Sequence, residues 1–502
     1  MIKKLTRRKA LKLGLLTGGA IFLPLGLQRR LNAQLSTFTK RFGLRQLTPA
    51  VPSPPTVPSP VSSNPTAQFQ VPLRIPPVLS PVSSDATTDY YEITIKQAQT
   101  EILPRLKTTI WGYNGQFPGP TIKARLRRQT VVRQSNNLPE PMVVHLHGMG
   151  SLPQYDGHPD DVIQPGAYKD YIYPNDRTGT FWYHDHTMHT TGSNIYKGLA
   201  AFYLVGDDFE DSLPLPKGEY DIPLMIQDRQ FAGDGSMIYN SRGNNGAFGT
   251  TILVNGVPSP RFEVANRKYR FRILNGSNAR AYRLALSSGQ PLIAIGTDAG
   301  LMSAPVTTSD MWLGMAERYE VIVDFSVYPI GTQVVLQNLF GETPALQQIM
   351  RFDVVRLESD DSTIPATLRT VEPIPESSAV RTRDWNFSRG QRGEWVINGK
   401  TWDSNRVDAT PNLGDVEIWR LFNNFNDASH PIHLHLVDFQ ILDRNGKPPL
   451  PYELGWKDTV NLNENEVVRI IVKFGPHKGR YAMHCHNLEH EDHSMMTQFE
   501  VL

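Results

Sequence analysis

Twelve of the fourteen histidines in this chain fall in four short windows, residues 145–147, 184–189, 430–435 and 484–493. Within them His145/His147, His184/His186, His433/His435 and His484/His486 are spaced i, i+2, which puts both side chains of a pair on one face of a β-strand. One such pair is commonly an ordinary surface pair or a lone metal site. Four pairs are a ligand set for several metal ions, more than a single zinc site uses. The only cysteine lies inside the last pair, as His484-Cys485-His486, and strand alternation turns it to the opposite face. His430 (just before Pro431) and His490 (five residues after the cysteine) are the imidazoles left over, and Met495 is a thioether ten residues on. One thiolate, two imidazoles and a weak axial thioether make a blue-copper electron-transfer set. A lone free cysteine is otherwise a small buried hydrophobe, a reading that its flanking histidines displace. His158, His189, His477 and His493 fill no required position and read as ordinary exposed or hydrogen-bonded residues.

The elements that must position these groups read as strands and turns. Ile122, Ala124 and Leu126 alternate with Lys123, Arg125 and Arg127, and Lys268 to Ile273 alternates base with apolar residue. Both patterns predict strands with one buried and one wet face. Three apolar-Asn-Gly turns, at Tyr113-Asn114-Gly115, Val254-Asn255-Gly256 and Ile397-Asn398-Gly399, are 141 and 143 residues apart. Each is followed by a second polar turn, at Asn136-Asn137, Asn275-Gly276 and Asn423-Asn424. One Asn-Gly is a common hairpin signal, but near-equal spacing of three predicts three related all-β domains in tandem, residues 86–208, 219–357 and 379–502. The histidine windows belong to the first and third, so the middle domain is expected to act as a spacer or lid.

The chain has 502 residues, room for about three cores at ~100–200 residues per domain. One cysteine excludes a disulfide framework and any multi-thiolate zinc site. The formal charge of +2 hides an asymmetry: residues 1–47 hold eleven bases and no acid, leaving forty bases against forty-nine acids, a net −9, in residues 48–502. So acidic a body is a poor nucleic-acid binder. Residues 1–33 read as an export leader, with Lys3, Lys4, Arg7, Arg8, Lys9 and Lys12 preceding an apolar run from Leu13 to Leu27, shorter than the ~20 residues of a membrane span. Thr6 to Lys12 resembles a twin-arginine signal, with Ala10 where that pattern usually has Phe. The body is therefore expected outside the cytoplasm, periplasmic or extracellular, with no stable span unless the leader is retained as an anchor. Residues 34–85 form a linker. Its part from residue 48 has eleven Pro and only Arg74 and Asp85 charged, which predicts a semi-extended tether with no part in the chemistry.

The four His motifs resemble those of the multicopper oxidases, in particular the bacterial laccase and bilirubin-oxidase branch. The matching stretches are His145-Leu146-His147-Gly148, Trp182 to His186, His430 to His435, and His484-Cys485-His486 through His490-Glu491-Asp492 to Met495-Met496, with Trp111 to Pro120 opening the first domain. The resemblance covers all three repeats. It implies three cupredoxin-like Greek-key β-sandwich or barrel domains and four copper ions. Type 1 copper would be bound by His430, Cys485, His490 and Met495, type 2 by His145 and His433, and the type 3 pair by His147, His184, His186, His435, His484 and His486. It also implies electron passage from Cys485 to His484 and His486 and reduction of O2 to water. Asp156 and Glu491 stand where this branch places proton-relaying acids, while Asp185 is expected to point away. The implied activity is one-electron oxidation of phenols, aryl amines or tetrapyrroles by a monomeric enzyme. Two alternatives are a metallo-oxidase acting on Cu(I) or Mn(II), which the scattered methionines do not favour, and a copper-free exported scaffold, which the complete ligand set opposes. A copper nitrite reductase resembles two repeats and fewer histidines. The donor would be selected by loops such as Asn423 to Ser429 and Asn445 to Trp456. The first has no aromatic beyond Phe425 and so no evident stacking platform.

Overall fold

The computed structural model describes residues 68–502 except Asn244, Phe425 and Asp427. The expected leader and the linker up to residue 67 lie outside the described residues. The strands of the described residues form six sheets, which pair into three β-sandwiches. In the first, the sheet of Thr88–Thr100, Gln129–Asn136 and Tyr168–Tyr173 faces the sheet of Ile122–Arg125, Ala200–Gly206, Gly179–Asp185 and Val144–His147. Tyr91, Ile93 and Val132 of one sheet and Leu146, Phe181 and Tyr203 of the other share a core. A seven-stranded and a five-stranded sheet close over the middle core, and a five-stranded and a four-stranded sheet over the third. The fold is thus all-β, three cupredoxin-like sandwiches in tandem.

The repeat has a physical basis. In each domain an early strand pairs in parallel with a later one: Thr88–Thr100 with Gln129–Asn136, Asp221–Arg229 with Lys268–Asn275, and Arg381–Arg389 with Val416–Asn423. Parallel neighbours need a crossover rather than a hairpin. Equivalent asparagines fix it. Asn114, Asn255 and Asn398 have φ of 54°, 49° and 51°, and the glycine after each is also positive, the backbone of a type I′ turn. Each of these side-chain oxygens accepts from a strand N–H, of Thr94, Met225 and Asn386 respectively, at 2.7–2.9 Å. At the second turns, Asn136, Asn275 and Asn423 donate to backbone carbonyls across the loop.

Two expectations are corrected. Ile122–Arg125 alternates as predicted, but Lys268–Asn275 is buried on both faces. Arg270 and Arg272 are enclosed with Glu210, Asp221 and Glu320, and Arg272 also reaches Thr180 of the first domain at 3.1 Å. The face that a single domain would leave wet is covered here by its neighbour. The described end of the linker is extended, but it is more than a tether. Leu73 N donates to Arg261 O (2.7 Å), Arg261 N donates to Val71 O (3.0 Å), and Leu79 N donates to Thr121 O at 2.8 Å. It is a strap across the middle and first domains. No helix among the described residues is long and apolar enough to cross a membrane.

Candidate metal centre

Strand register brings the histidines together two by two. Val144–His147 runs antiparallel to Gly179–Asp185 with His145 opposite His184, and His430–Leu434 runs antiparallel to Gly479–Cys485 with His433 opposite His484. The two strand pairs, from the first and third domains, then face each other. His145 and His433 approach to 3.4 Å between Nε2 atoms, while His484 Nε2 lies 3.2 Å from Nε2 of both His186 and His435. Across the seam the His147 and His433 rings stack at 3.6 Å, and the His145 and His435 rings at 3.9 Å. All eight imidazoles are buried.

Their nitrogens fall into metal-sized groups: His147, His184 and His486; His186, His435 and His484; and His145 with His433, joined by His147. Where the Nδ1 of each ring is already bonded to a carbonyl or carboxylate, as at His145, His433, His435 and His484, ring nitrogens facing one another at 3.2–3.4 Å set lone pair against lone pair unless a cation lies between. Burial pushes the His145, His147, His184, His433 and His435 imidazoles well below their usual range and His486 to about 3, with neighbouring imidazoles or Arg318 adding to it, and takes His186 to about 4 against the opposing Glu491 carboxylate. They are therefore neutral near pH 7, the form that binds metal. His147 Nδ1, His184 Nε2 and both His486 nitrogens have no hydrogen-bond partner. The donor set fits a metal cluster.

Other ring nitrogens are anchored, which fixes tautomer and orientation. His435 Nδ1 lies 2.7 Å from Asp156 Oδ2, and His145 Nδ1 meets the Asp156 carbonyl. His184 Nδ1 is 2.7 Å from Asp185 O, and His484 Nδ1 is 3.0 Å from Glu491 Oε2. Both predicted acids thus touch the cluster. Burial raises the Asp156 carboxyl. At Glu491 burial acts the same way, but the His484 and His186 imidazoles outweigh it and hold the carboxyl well below the usual range. The Asp185 carboxylate turns away to Thr187 and Asn194, as expected.

On the other face of Gly479–Cys485 sits the second site. Cys485 Sγ is 3.5 Å from His430 Nδ1 and 3.6 Å from His490 Nδ1, and those nitrogens are 3.2 Å apart. The centre of that triangle is about 2 Å from each corner, near ordinary metal–nitrogen distances. All three residues are fully buried. Burial pushes the Cys485 thiol well up, so a bound cation is what makes it a thiolate. Met495 is buried in the same core, its N–H donating to His490 O at 2.9 Å. His158, His189 and His493 bond to Gln498, to the Asp492 carbonyl and to the Glu489 carbonyl and join no metal-sized group.

Spacing alone misses several contributors. Asp458 accepts from His147 Nε2 at 2.9 Å, and its carbonyl lies 2.9 Å from His433 Nδ1. Its sequence context, Trp456-Lys457-Asp458, carries no spacing signal. Trp395 packs on the His490 ring at 3.7 Å, with the Arg389 guanidinium 3.7 Å from the same indole. Trp395, in the strand Trp395–Ile397, is buried, so it supports the His490 ring from within and is not an exposed stacking surface. The middle domain is more than a spacer or lid: Tyr239 and Asn278 bond to Glu489, the residue before His490, at 2.9 and 2.8 Å.

Two family models, each described as multicopper oxidase, match residues 94–209 and 373–502. The chain is 40% identical to a bilirubin oxidase of Albifimbria verrucaria, over 86% of this chain and 81% of that protein. It is 38% identical to a laccase of Bacillus subtilis, over 86% of this chain and 97% of that one. The crystal structure of a laccase from Pediococcus acidilactici superposes with a TM-score of 0.80 at 32% identity, covering 86% of this chain and 93% of its own. Two histidine-lined centres joined through one cysteine-bearing strand, in a sandwich architecture shared with these relatives, place the chain in the multicopper oxidase family, enzymes that use copper, O2 and a reducing substrate.

Proposed function

We propose that this chain is an exported, monomeric, laccase-like oxidase that removes single electrons from phenols, aryl amines or tetrapyrroles and delivers four of them to O2. The names of its relatives support this donor class. The observation that carries the reading is the His484-Cys485-His486 junction. Cys485 belongs to one buried donor triangle, while its neighbours belong to two different groups of the other centre.

On this reading His430, Cys485, His490 and Met495 hold type 1 copper, and His145 and His433 hold type 2. His147, His184 and His486 hold one type 3 ion, and His186, His435 and His484 the other. When bound, copper supplies one-electron exchange at the first site and four-electron reduction of O2 at the second. The chain supplies the rest. The strand Gly479–Cys485 and His486 after it fix the separation of the sites. Burial of every imidazole keeps bulk water off the cluster. Asp156 and Glu491, on the anchored nitrogens of His435 and His484, are the carboxylates placed to hold and pass protons. The basic leader supports export.

The test is copper content per chain on reconstituted protein, with O2 uptake measured on a phenol, on Mn(II) and on Cu(I). About four coppers and uptake on the phenol are expected. Uptake on a metal ion alone would make the chain a metallo-oxidase. Absence of both copper and uptake would make it a scaffold.

A further inference from the structure

The middle domain carries no histidine between residues 219 and 357, yet one of its side chains ends at the histidine cluster. Arg318 opens the strand Arg318–Asp324 and is wholly buried. A guanidinium has five N–H donors, and here all five are used. Nε donates to Thr180 O of the first domain at 2.8 Å. Nη1 donates to Ala316 O at 3.0 Å and to Asp458 Oδ1 at 2.8 Å. Nη2 donates to Asp298 O at 3.1 Å and to Asp458 Oδ2 at 2.5 Å. One side chain thereby ties all three domains together, and its two-pronged contact is to a residue of the third.

Asp458 continues the chain of contacts. The same Oδ1 accepts from His147 Nε2 and, at 2.8 Å, from the Thr459 hydroxyl, and the Asp458 carbonyl meets His433 Nδ1. His147 comes from the first domain and His433 from the third. With Nε2–H committed to Asp458, His147 presents Nδ1, the nitrogen that lacks a hydrogen-bond partner. The backbone makes room for this approach. A Cβ on Gly148 would lie 2.9 Å from Asp458 Oδ2 and 3.0 Å from Arg318 Nη2, so a side chain there would collide with the pair.

We infer that Arg318 is a positioning residue for the histidine cluster. By locking Asp458 it sets the tautomer and orientation of His147 and His433, so the middle domain governs copper loading at a centre to which it gives no ligand. This inference rests on the ligand assignment proposed above. The cysteine site lies on the other face of Gly479–Cys485 and should load independently.

The test uses the full chain, reconstituted with copper, in three variants: Arg318→Lys, Arg318→Met, and Arg318→Met combined with Asp458→Asn. Lysine keeps the charge but not the two-pronged contact. Asparagine keeps an oxygen for His147 while removing the carboxylate that Arg318→Met would leave buried without its partner. The readouts are the blue absorption, the type 2 electron paramagnetic resonance signal and copper bound against free copper. Expected for Arg318→Lys and Arg318→Met are retained blue absorption and a type 2 signal that needs about 10–100-fold more copper to appear, the usual cost of losing such a partner. The double variant should recover much of that loss. Unchanged copper affinity in Arg318→Lys would overturn the inference. So would loss of the blue absorption together with the type 2 signal, which would make Arg318 a general support of the fold. No recovery in the double variant would remove Asp458 as the route. A wild-type chain that binds no copper would instead defeat the proposed function.

Discussion

Cys485 shows how much one side chain can depend on a neighbour that is not protein. In a fully buried setting its thiol is pushed well above its ordinary range, so it has little nucleophilic character of its own, and a cation between it, His430 and His490 converts it to a thiolate. Cys485→Ser is therefore expected to abolish the blue absorption and electron entry while far-ultraviolet circular dichroism stays that of the wild type, because serine is smaller and fits the same space. A blue, active serine variant would remove the type 1 assignment. Glu491 makes a different test. It touches His484 but belongs to none of the metal-sized groups. Glu491→Gln preserves shape and removes the proton-holding carboxylate, so turnover should fall by about 10²-fold or more at unchanged copper content, measured as O2 uptake and bound metal on one sample. Lost copper would make Glu491 a structural residue. Both residues were legible in the sequence, Cys485 from its flanking histidines and Glu491 from the family motif. Trp395 was not, because an aromatic side chain carries no mark of the ring it packs on.

At the scale of elements, the strand Lys268–Asn275 is the instructive case. Its alternation of base and apolar residue reads as half-wet, and the inference failed because periodicity records which faces differ and not what covers the second one. Here the covering layer is the first domain and the short helix Asp208–Ser212, whose Glu210 meets Arg270 and Arg272 at 2.8 and 3.0 Å. Burial alone would raise the Glu210 carboxyl, but the two guanidinium groups outweigh it and bring it down to about 2. A carboxyl held lower in the folded than in the unfolded chain contributes stability above about pH 4.5, lost as pH falls toward 2. Glu210→Gln should thus lower the melting temperature at pH 7, through loss of a buried pair costing about 3–5 kcal/mol. The gap between wild type and variant should narrow steadily from pH 4.5 downward, where the wild-type carboxyl takes up its proton. A gap independent of pH would show that the Glu210 charge is not what holds the strand.

Over the whole molecule, the cluster is also a joint. Its eight imidazoles come half from the first domain and half from the third, and a cation would bridge the ring nitrogens that face one another at 3.2–3.4 Å across the seam. A metal that binds the folded chain and not the unfolded one stabilises it by mass action, about 4 kcal/mol at a thousandfold excess over the dissociation constant. Copper removal by a chelator is therefore expected to lower the melting temperature and to speed proteolysis, with re-addition of copper restoring both. Identical melting curves with and without copper would mean that the sandwiches hold each other without the metal.

The chemistry of this protein was determined in its sequence by itself, because ligand chemistry demands particular residue types and strands demand a period of two. Four His-x-His pairs around one cysteine satisfy both demands at once and leave few other readings. The threefold repeat was legible for a similar reason: an Asn-Gly turn with two positive φ angles admits few other residues, so it marks the same corner in each domain. Only the tertiary structure decided what supports those ligands. Asp458, Arg318, Trp395 and Tyr239 reach the two centres from distant points of the chain, and Arg318 and Tyr239 come from a domain with no ligand at all. Contacts of that kind follow from how three sandwiches pack, and local spacing does not encode which buried face meets which.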